Sequence, residues 1–490
     1  MSVSGAASGV ALADEGLRRG LGRLHVLAIV VGGTLGTGIY LRPAVIAQLV
    51  QTPGRVLLVW CLAGLLSLAG ALTYAELAAR FPRSGGEYVF MRETLGEFPA
   101  FLSAWMRLTL GVALTAALAA GVAVFLSELV PLPHTTWHLA LRWISRRVTL
   151  DLGAQQCVAA LIILILALLN ISGVARAGRF QGAVTAAKVM GLLSLIAAII
   201  LVGEPHAAFA GSIVPARTVP PGVLGYGAAF LAAIAAYHGW ASASMVAGEV
   251  RDASRTLPWA IITGLGITTI LYIAANTAYL HVLTISEVAA SHSTAYPDAP
   301  SVAGRAAAKA LGLSTGRALS LLFLLSTLGT LHCVLLVVPR LLFAAARDGL
   351  LPATLGHVAE SARTPAVAIG AFALPAMMFA LLSGYDRLSN MAMFGNLLFY
   401  ALSAFGLLWW RRRVTTWHDS GSFRAPRGIP QLFLMGCAAL LIALIVGQSP
   451  EVVAAIALLG LGVPAYALIR WRRAHGPDAH SKWGSGGSLL

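Results

Sequence analysis

The residues best placed to do chemistry in this chain are glycines. Val30 to Pro43 reads VVGGTLGTGIYLRP, with Gly32, Gly33, Gly36 and Gly38 inside one long apolar run. A glycine costs roughly 1 kcal/mol in a helix relative to alanine, so the spacing argues against continuous helix. In a bilayer, unwound backbone persists only where protein buries it or where it lines a cavity. Such a break leaves amide donors and carbonyl acceptors at mid-membrane, and together they can hold a small zwitterion. A second reading is close helix packing through small residues, and glycine spacing alone does not separate the two. Other polar groups in apolar surroundings are few: Lys188 in AVTAAKVMGLLSL, His238 in AAYHGWASAS and His332 in GTLHCVLL. A buried ammonium is expensive. It either snorkels to an interface or donates to unwound carbonyls near Gly32 and Gly33. A membrane histidine either packs against a carbonyl or takes part in substrate or proton binding.

These residues must be positioned by membrane helices. The 490 residues are 58% hydrophobic and 11% charged, with mean hydropathy +0.81, whereas soluble domains carry about 25% charge. Apolar runs of about 20 residues recur. The expected fold class is all-α and polytopic, with twelve spans near 24–50, 55–80, 97–128, 154–172, 181–203, 222–249, 257–284, 315–346, 364–384, 388–410, 430–448 and 451–471. With the N-terminus inside, Lys and Arg favour inside segments about two to one, so both termini are expected to be cytoplasmic. The net charge of +15 then reflects helix ends, and no nucleic-acid partner is expected. Cys61, Cys157, Cys333 and Cys437 fall within spans and read as small buried residues, with no disulfide framework or metal site. No cleavable signal peptide is evident in the first, overlong apolar run. No HExxH motif, metal-spaced cluster or set of buried carboxylates suggests an enzyme. No cofactor is implied, and no charged ring or repeated filter suggests a channel.

A second interruption falls in the sixth span, where Tyr237, His238, Gly239 and Trp240 break the aliphatic run. Spans one and six are five apart. That suits two inverted five-helix repeats, 24–203 and 222–411, each opening with a broken helix. Spans eleven and twelve (430–471) are then peripheral, between a cytoplasmic N-terminal tail (1–23) and C-terminal tail (472–490). The loop 286–314 contains an Ala-rich stretch, Val302 to Leu311. It reads either as a re-entrant or lid helix or as a surface loop with a helical turn or two.

The motifs resemble those of the amino acid–polyamine–organocation superfamily. GTLGTGIYLRP is similar to its first-helix signature and AGALTYAELAARFPRSGGEYVFMRETLG to its second helix and following loop. YHGWASASMVAGEVRDASRTLPWAI resembles its sixth-helix segment, PRLLFAAARDGLLP the end of helix eight and LGLGVPAYAL the last helix. The L-type transporters, light subunits of heteromeric carriers, and their bacterial relatives are the group it most resembles. The resemblance implies a LeuT-like fold and alternating access for amino acids. It implies a substrate carboxylate held at Gly36, Thr37 and Gly38, and an α-ammonium held by carbonyls near Thr34 and from Ala235 to His238. Asn396 matches a pocket-lining position. The family's aromatic gate is replaced by Ala235, a glycine by His238 and a small polar residue by His332. Occlusion is then left to Tyr237 or Trp240. The match at VTAAK implies that Lys188 stands in for a sodium ion. No Asp or Glu lies near mid-membrane in spans one, five, six or eight, so a sodium site would need neutral oxygens alone. Arg340 and Glu249 look like scaffold charges, and Arg107 reads as interfacial. Light subunits carry a loop cysteine for a heavy chain, but 127–156 has none before Cys157, so no disulfide-linked partner is expected. The implied function is sodium-independent exchange or uptake of neutral L-amino acids across a plasma membrane, the inner membrane in a bacterium. Cationic amino acid or polyamine transport is the alternative, and a non-transporting amino acid sensor is the alternative of another class.

Overall fold

The computed structural model describes residues 16–133, 136–143, 146–205, 222–293, 295–296, 299–312, 315–381, 386–413, 423–447 and 450–475. Most of the two expected tails lies outside them. The first span is two helices, α1 (Arg23–Thr34) and α2 (Gly38–Val50). Then come α3 (Pro53–Arg80), a short α4 (Glu87–Thr94), α5 (Glu97–Met106), a π turn (Arg107–Gly111) and α6 (Val112–Leu129). A hairpin of β1 (Thr136–Trp143) and β2 (Arg146–Gly153) leads to α7 (Ala154–Ile171) and α8 (Val174–Val202). The sixth span is α9 (Val223–Ala236) followed by a 3-10 segment (Trp240–Glu249). After it stand α10 (Ala253–Val282), the short α11 (Ile285–Ala289) and α12 (Val302–Leu311), and α13 (Gly316–Arg347). The chain closes with α14 (Ala366–Ala380), α15 (Asp386–Arg413), α16 (Ile429–Val446), α17 (Pro450–Gly460) and α18 (Gly462–His475).

Among the described residues, eleven helical segments are long and apolar enough to cross a membrane, and the shorter α14 lies where another span was expected. The all-helical reading acquires one exception. Thr136 pairs with Gly153 and Trp143 with Arg146 in an antiparallel ladder between α6 and α7. The alternation in TWHLALRW is a strand signal, in a stretch too short and polar to read as a span. The cysteines also divide: Cys333 and Cys437 are buried, but Cys61 is only partly covered and Cys157 is exposed on the outer surface of the bundle.

Two broken helices cross at the centre, and glycine makes the crossing possible. Gly239 sits at φ +122°, and a Cβ there would lie 2.6 Å from the Gly33 carbonyl carbon and 3.0 Å from Thr34 N. A Cβ on Gly33 would meet Cys333 Sγ at 2.9 Å. The small-residue reading and the broken-helix reading are therefore both realised, on neighbouring glycines. Around the crossing, α1 packs on α8, α10 and α13, and α2 packs on α9.

One face is shut beneath the crossing. Leu21 pairs with Val250 in a short bridge, with Leu21 N–H donating to Glu249 O (3.0 Å) and Arg251 N–H to Leu21 O (2.9 Å). Behind it Glu249 and Arg340 form a fully buried pair at 2.8 Å. Gly85 N–H reaches Met245 O at 2.9 Å, and Gly248 N–H reaches Ser84 Oγ at 3.2 Å. This is the face where α1 begins. The opposite face, where α2 ends, carries α11, α12 and the hairpin.

Candidate functional site

Thr34 closes α1 with its hydroxyl turned back on Val30 O at 2.8 Å. Leu35 leaves the helical range at ψ 82°, and its N–H reaches Val31 O (2.7 Å). Gly36 N–H then folds back on Thr34 O (2.8 Å), and Tyr40 N–H finds Thr37 O (3.1 Å). Two opposite poles thus face each other across three residues, the carbonyl end of α1 and the amide end of α2. Gly36 N–H and Tyr40 N–H are spent inside the turn, so among the described residues the amides open to an anion there are those of Thr37, Gly38 and Ile39. Gly36, Thr37 and Gly38 are partly exposed between buried Leu35 and buried Ile39, and Ala235 and His238 are the partly exposed residues between Ala232 and Ala241.

Lys188 Nζ lies fully buried against the carbonyl pole. It donates to Gly32 O at 2.5 Å, Leu35 O at 2.6 Å and Ser326 O of α13 at 3.4 Å. Hydroxyls assist: Thr330 donates to Gly32 O (3.3 Å) and Ser326 to Leu35 O (3.1 Å). The expected acceptors were Gly32 and Gly33. Leu35 replaces Gly33 because Gly33 faces Cys333 and Gly239 instead. Among the described residues no carboxylate is paired with this ammonium, whose counter-charge is the α1 dipole.

Tyr272 of α10 was not singled out in the sequence, yet it ties the two breaks together. Its hydroxyl lies 2.8 Å from Thr34 O and 3.0 Å from Ala236 O, the terminal carbonyls of α1 and α9. One hydroxyl proton serves one carbonyl at a time, which leaves acceptor capacity between the two helix ends. A single tyrosine among many in apolar sequence gave no local signal for this.

Several sequence candidates point elsewhere. Tyr237 turns into the core, its hydroxyl on Trp60 O at 3.2 Å and its ring against Trp60 and Tyr272. Trp240 stacks on Tyr400 at 5.2 Å and meets Tyr74 and Phe433 edge-on. Neither ring lies across the first break. His238 Nδ1 is 3.0 Å from Tyr400 Oη on α15, beside a small cavity shared with Ser67, Leu397, Phe433 and Cys437. It lines that cavity together with Ile234 and faces α15 and α16. Through Phe433 and Cys437 α16 reaches this cavity, though it is otherwise among the least buried spans. His332 is buried between α13 and α8, its Nδ1 2.6 Å from Gln181 Oε1 and its ring on Phe180. Asn396 is buried one turn before Tyr400, and its Oδ1 has no partner among the described residues. Arg107, expected at the interface, is buried with Glu87, donating from Nε (2.9 Å) and Nη2 (2.6 Å) to one carboxylate oxygen. The π turn that begins at Arg107 aims it inward, and such turns recur at functional positions.

Two broken helices thus cross inside a polytopic bundle. The amino acid permease family matches residues 21–462, nearly the whole chain. The chain belongs to the amino acid permease family. The serine/threonine exchanger SteT of Bacillus subtilis (strain 168) is 30% identical, over 82% of this permease and 85% of its own length. The human cystine/glutamate transporter is 29% identical over 92% and 85%. The human large neutral amino acids transporter small subunit 2 is 28% identical over 95% and 83%. The family places the permease in the amino acid–polyamine–organocation superfamily, with the LeuT-like polytopic fold. These relatives are transporters and exchangers, not enzymes, and the amino acids in their names are mixed.

Proposed function

We propose that this permease moves neutral L-amino acids across the plasma membrane by sodium-independent exchange or uptake through alternating access. The observation that carries the reading is the pair of facing poles at Leu35–Gly38, partly exposed in otherwise buried surroundings. A zwitterion fits them: carboxylate on the α2 amides at Thr37 and Gly38, with Gly36 leaving room, and ammonium on the carbonyls of Thr34 and Ala235–His238. Lys188 takes the carbonyls that a sodium ion would otherwise need, which supports sodium independence. Asn396 supplies an unused acceptor for the substrate's side chain. Tyr237, Trp240, His238 and His332 act behind the two breaks, holding their shape. Neutral substrates are favoured because no carboxylate among the described site residues awaits a second ammonium. The Lys/Arg bias supports cytoplasmic termini, and the absence of cysteine from 127–156 supports action without a disulfide-linked heavy chain.

The test is exchange in proteoliposomes. Labelled amino acids are offered with and without internal substrate, in sodium and in choline. Neutral amino acids should exchange in both salts. Uptake confined to lysine, arginine or polyamines would overturn the substrate class. Uptake that stops in choline would overturn the coupling. Binding without any flux would favour a sensor.

A further inference from the structure

Arg42 stands four residues after Gly38, one turn into α2 and on the same side of it. The partly exposed positions of α2 are Gly38, Leu41, Arg42, Val45, Gln48 and Leu49, and the positions between them are buried. At 3.6 residues per turn these six cover about a third of the circumference. They form one strip running from the break to the end of the helix. Its far end is fixed by Gln48, whose amide donates to Ala289 O (2.6 Å) and Ser293 Oγ (3.0 Å) beside α11.

Along this strip Arg42 is the charged residue, and its guanidinium has no hydrogen bond, ion pair or ring contact among the described residues. The other deep arginines differ. Arg107 is held by Glu87, Arg340 by Glu249 and Arg411 by Glu76. Arg42 lies about 12 Å in from the end of α2 at Val50, at 1.5 Å per residue. A lone guanidinium at that depth is costly unless water or an anion meets it. The opposite face is shut at Leu21 and Glu249, whereas on the α2 side the partly exposed strip continues from the break to Leu49.

We propose that Arg42 is an entry site for the substrate carboxylate, holding it in the α2-side vestibule before it passes to the amides at Gly38. The inference rests on the amino acid transport proposed above. A planar guanidinium fork matches a carboxylate with two parallel hydrogen bonds. The two stations are about 6 Å apart along the helix, so one carboxylate can be handed over without returning to bulk water. Leu41 and Val45 flank the fork with apolar surface, which suits an uncharged side chain. A phospholipid phosphate has the same charge and could reach the same fork, so the test must separate the two sources.

The full chain is reconstituted in vesicles of phosphatidylcholine alone and of phosphatidylcholine with anionic lipid. Initial exchange of a labelled neutral amino acid is measured against concentration on each face separately, for the wild type, Arg42→Gln and Arg42→Lys. Arg42→Gln should raise KM about tenfold on the face where α2 ends, the scale of one charge-assisted contact. KM on the other face and kcat should stay within about twofold, and Arg42→Lys should recover part of the loss. An unchanged KM, an equal shift on both faces or a pure kcat loss would overturn the proposal. So would a shift seen only with anionic lipid, which would assign the fork to a headgroup. A wild type that exchanges no neutral amino acid would retire the proposed function itself. Normal wild-type exchange with an indifferent Arg42→Gln would retire only the entry site.

Discussion

Lys188→Met keeps the length of the side chain and removes its charge. The two close bonds, to Gly32 O and Leu35 O at 2.5 and 2.6 Å, are charge-assisted and worth about 1.5–3 kcal/mol each. Their loss removes about 3–6 kcal/mol of gross interaction. Removing the ammonium also removes its burial penalty, which is several kcal/mol. The two nearly offset, so the folded protein should lose no more than about 1–2 kcal/mol. Transport has no such offset. Gly32 and Leu35 flank the break, and the bonds tie α8 and α13 to it, so they fix where the amide and carbonyl poles stand. If half of the gross interaction, about 1.5–3 kcal/mol, holds that geometry during reorientation, the rate falls by about 10- to 150-fold at 1.36 kcal/mol per decade. Lys188→Arg should recover little. A planar fork does not reproduce a compact ammonium, and a Cβ at Gly329 would lie only 3.2 Å from Nζ, so the cage has no spare width. The assay is proteoliposome exchange per folded molecule, with thermal unfolding of each variant recorded in parallel. Lys188→Met exchanging within about threefold of wild type would refute the reasoning, as would a transport loss fully matched by loss of folded protein.

The glycines of the break should separate cleanly. A Cβ at Gly38 would stand 2.8 Å from Ala236 Cβ and 2.9 Å from its Cα, whereas one at Gly36 meets only Thr330 Oγ1 at 3.5 Å. Gly38→Ala should therefore cost about 1–3 kcal/mol of stability. Gly36→Ala should leave the melting temperature near wild type and reduce substrate affinity, and equal melting temperatures for the two variants would contradict this. Glu87→Gln should destabilise by about 3–5 kcal/mol because it strands a buried Arg107. The double variant Glu87→Gln/Arg107→Gln should recover part of that in a thermal-shift cycle, and strict additivity would argue against the pair. His332→Ala strands Gln181 Oε1 and should cost about 1–3 kcal/mol with little change in KM. A transport defect without a stability defect would return His332 to the substrate site. Burial alone would raise the Glu287 carboxyl, but the Thr284 N–H and hydroxyl and the Lys309 ammonium hold it below its ordinary range. A depressed carboxylate stabilises above the ordinary carboxyl pKa and loses that contribution as pH falls through its own lower value. Hydrogen exchange over 284–291 should accelerate as pH falls below the ordinary carboxyl range in the wild type and show no such step in Glu287→Gln.

The sequence made the architecture legible because membrane spans are long and apolar and glycine clusters inside them are conspicuous. Val302–Leu311 was bounded to the residue, since Ser301 caps its start and Gly312 follows its end. Lys188 stood out because an ammonium in AVTAAKVMGLLSL must have a reason. Side-chain direction was not legible. His238 falls within the second interruption, and its sequence leaves open whether it meets a carbonyl or the substrate. Yet the turn at Tyr237–Gly239 swings it toward Tyr400, and a φ of +122° at Gly239 is not written in neighbouring residues. Tyr272 and Arg107 escaped for a related reason. Their partners lie far away in sequence, at Thr34 and Ala236 for one and Glu87 for the other, and no local pattern announces a long-range polar contact.

The distribution of bond strengths suggests how such a molecule can reorient. The closed face is held by a few backbone and hydroxyl bonds: Leu21 to Glu249, Arg251 to Leu21, Gly85 to Met245 and Gly248 to Ser84. Each is worth about 1 kcal/mol net, so the set can be exchanged for water at modest cost. The Glu249–Arg340 pair is of another kind. Breaking it would strand buried charge at about 3–5 kcal/mol, so it should travel intact, carrying the 3-10 segment Trp240–Glu249 along with α13. At the centre, Lys188 and Tyr272 hold the ends of α1 and α9 through carbonyls rather than through apolar packing. Hydrogen bonds to a carbonyl tolerate a change of angle better than interlocked side chains tolerate a shift. The crossing at Gly33 and Gly239, free of side chains, would be the pivot of the alternating access proposed above. The half-helices on the closed face can tilt about it while the poles that would hold the substrate stay assembled.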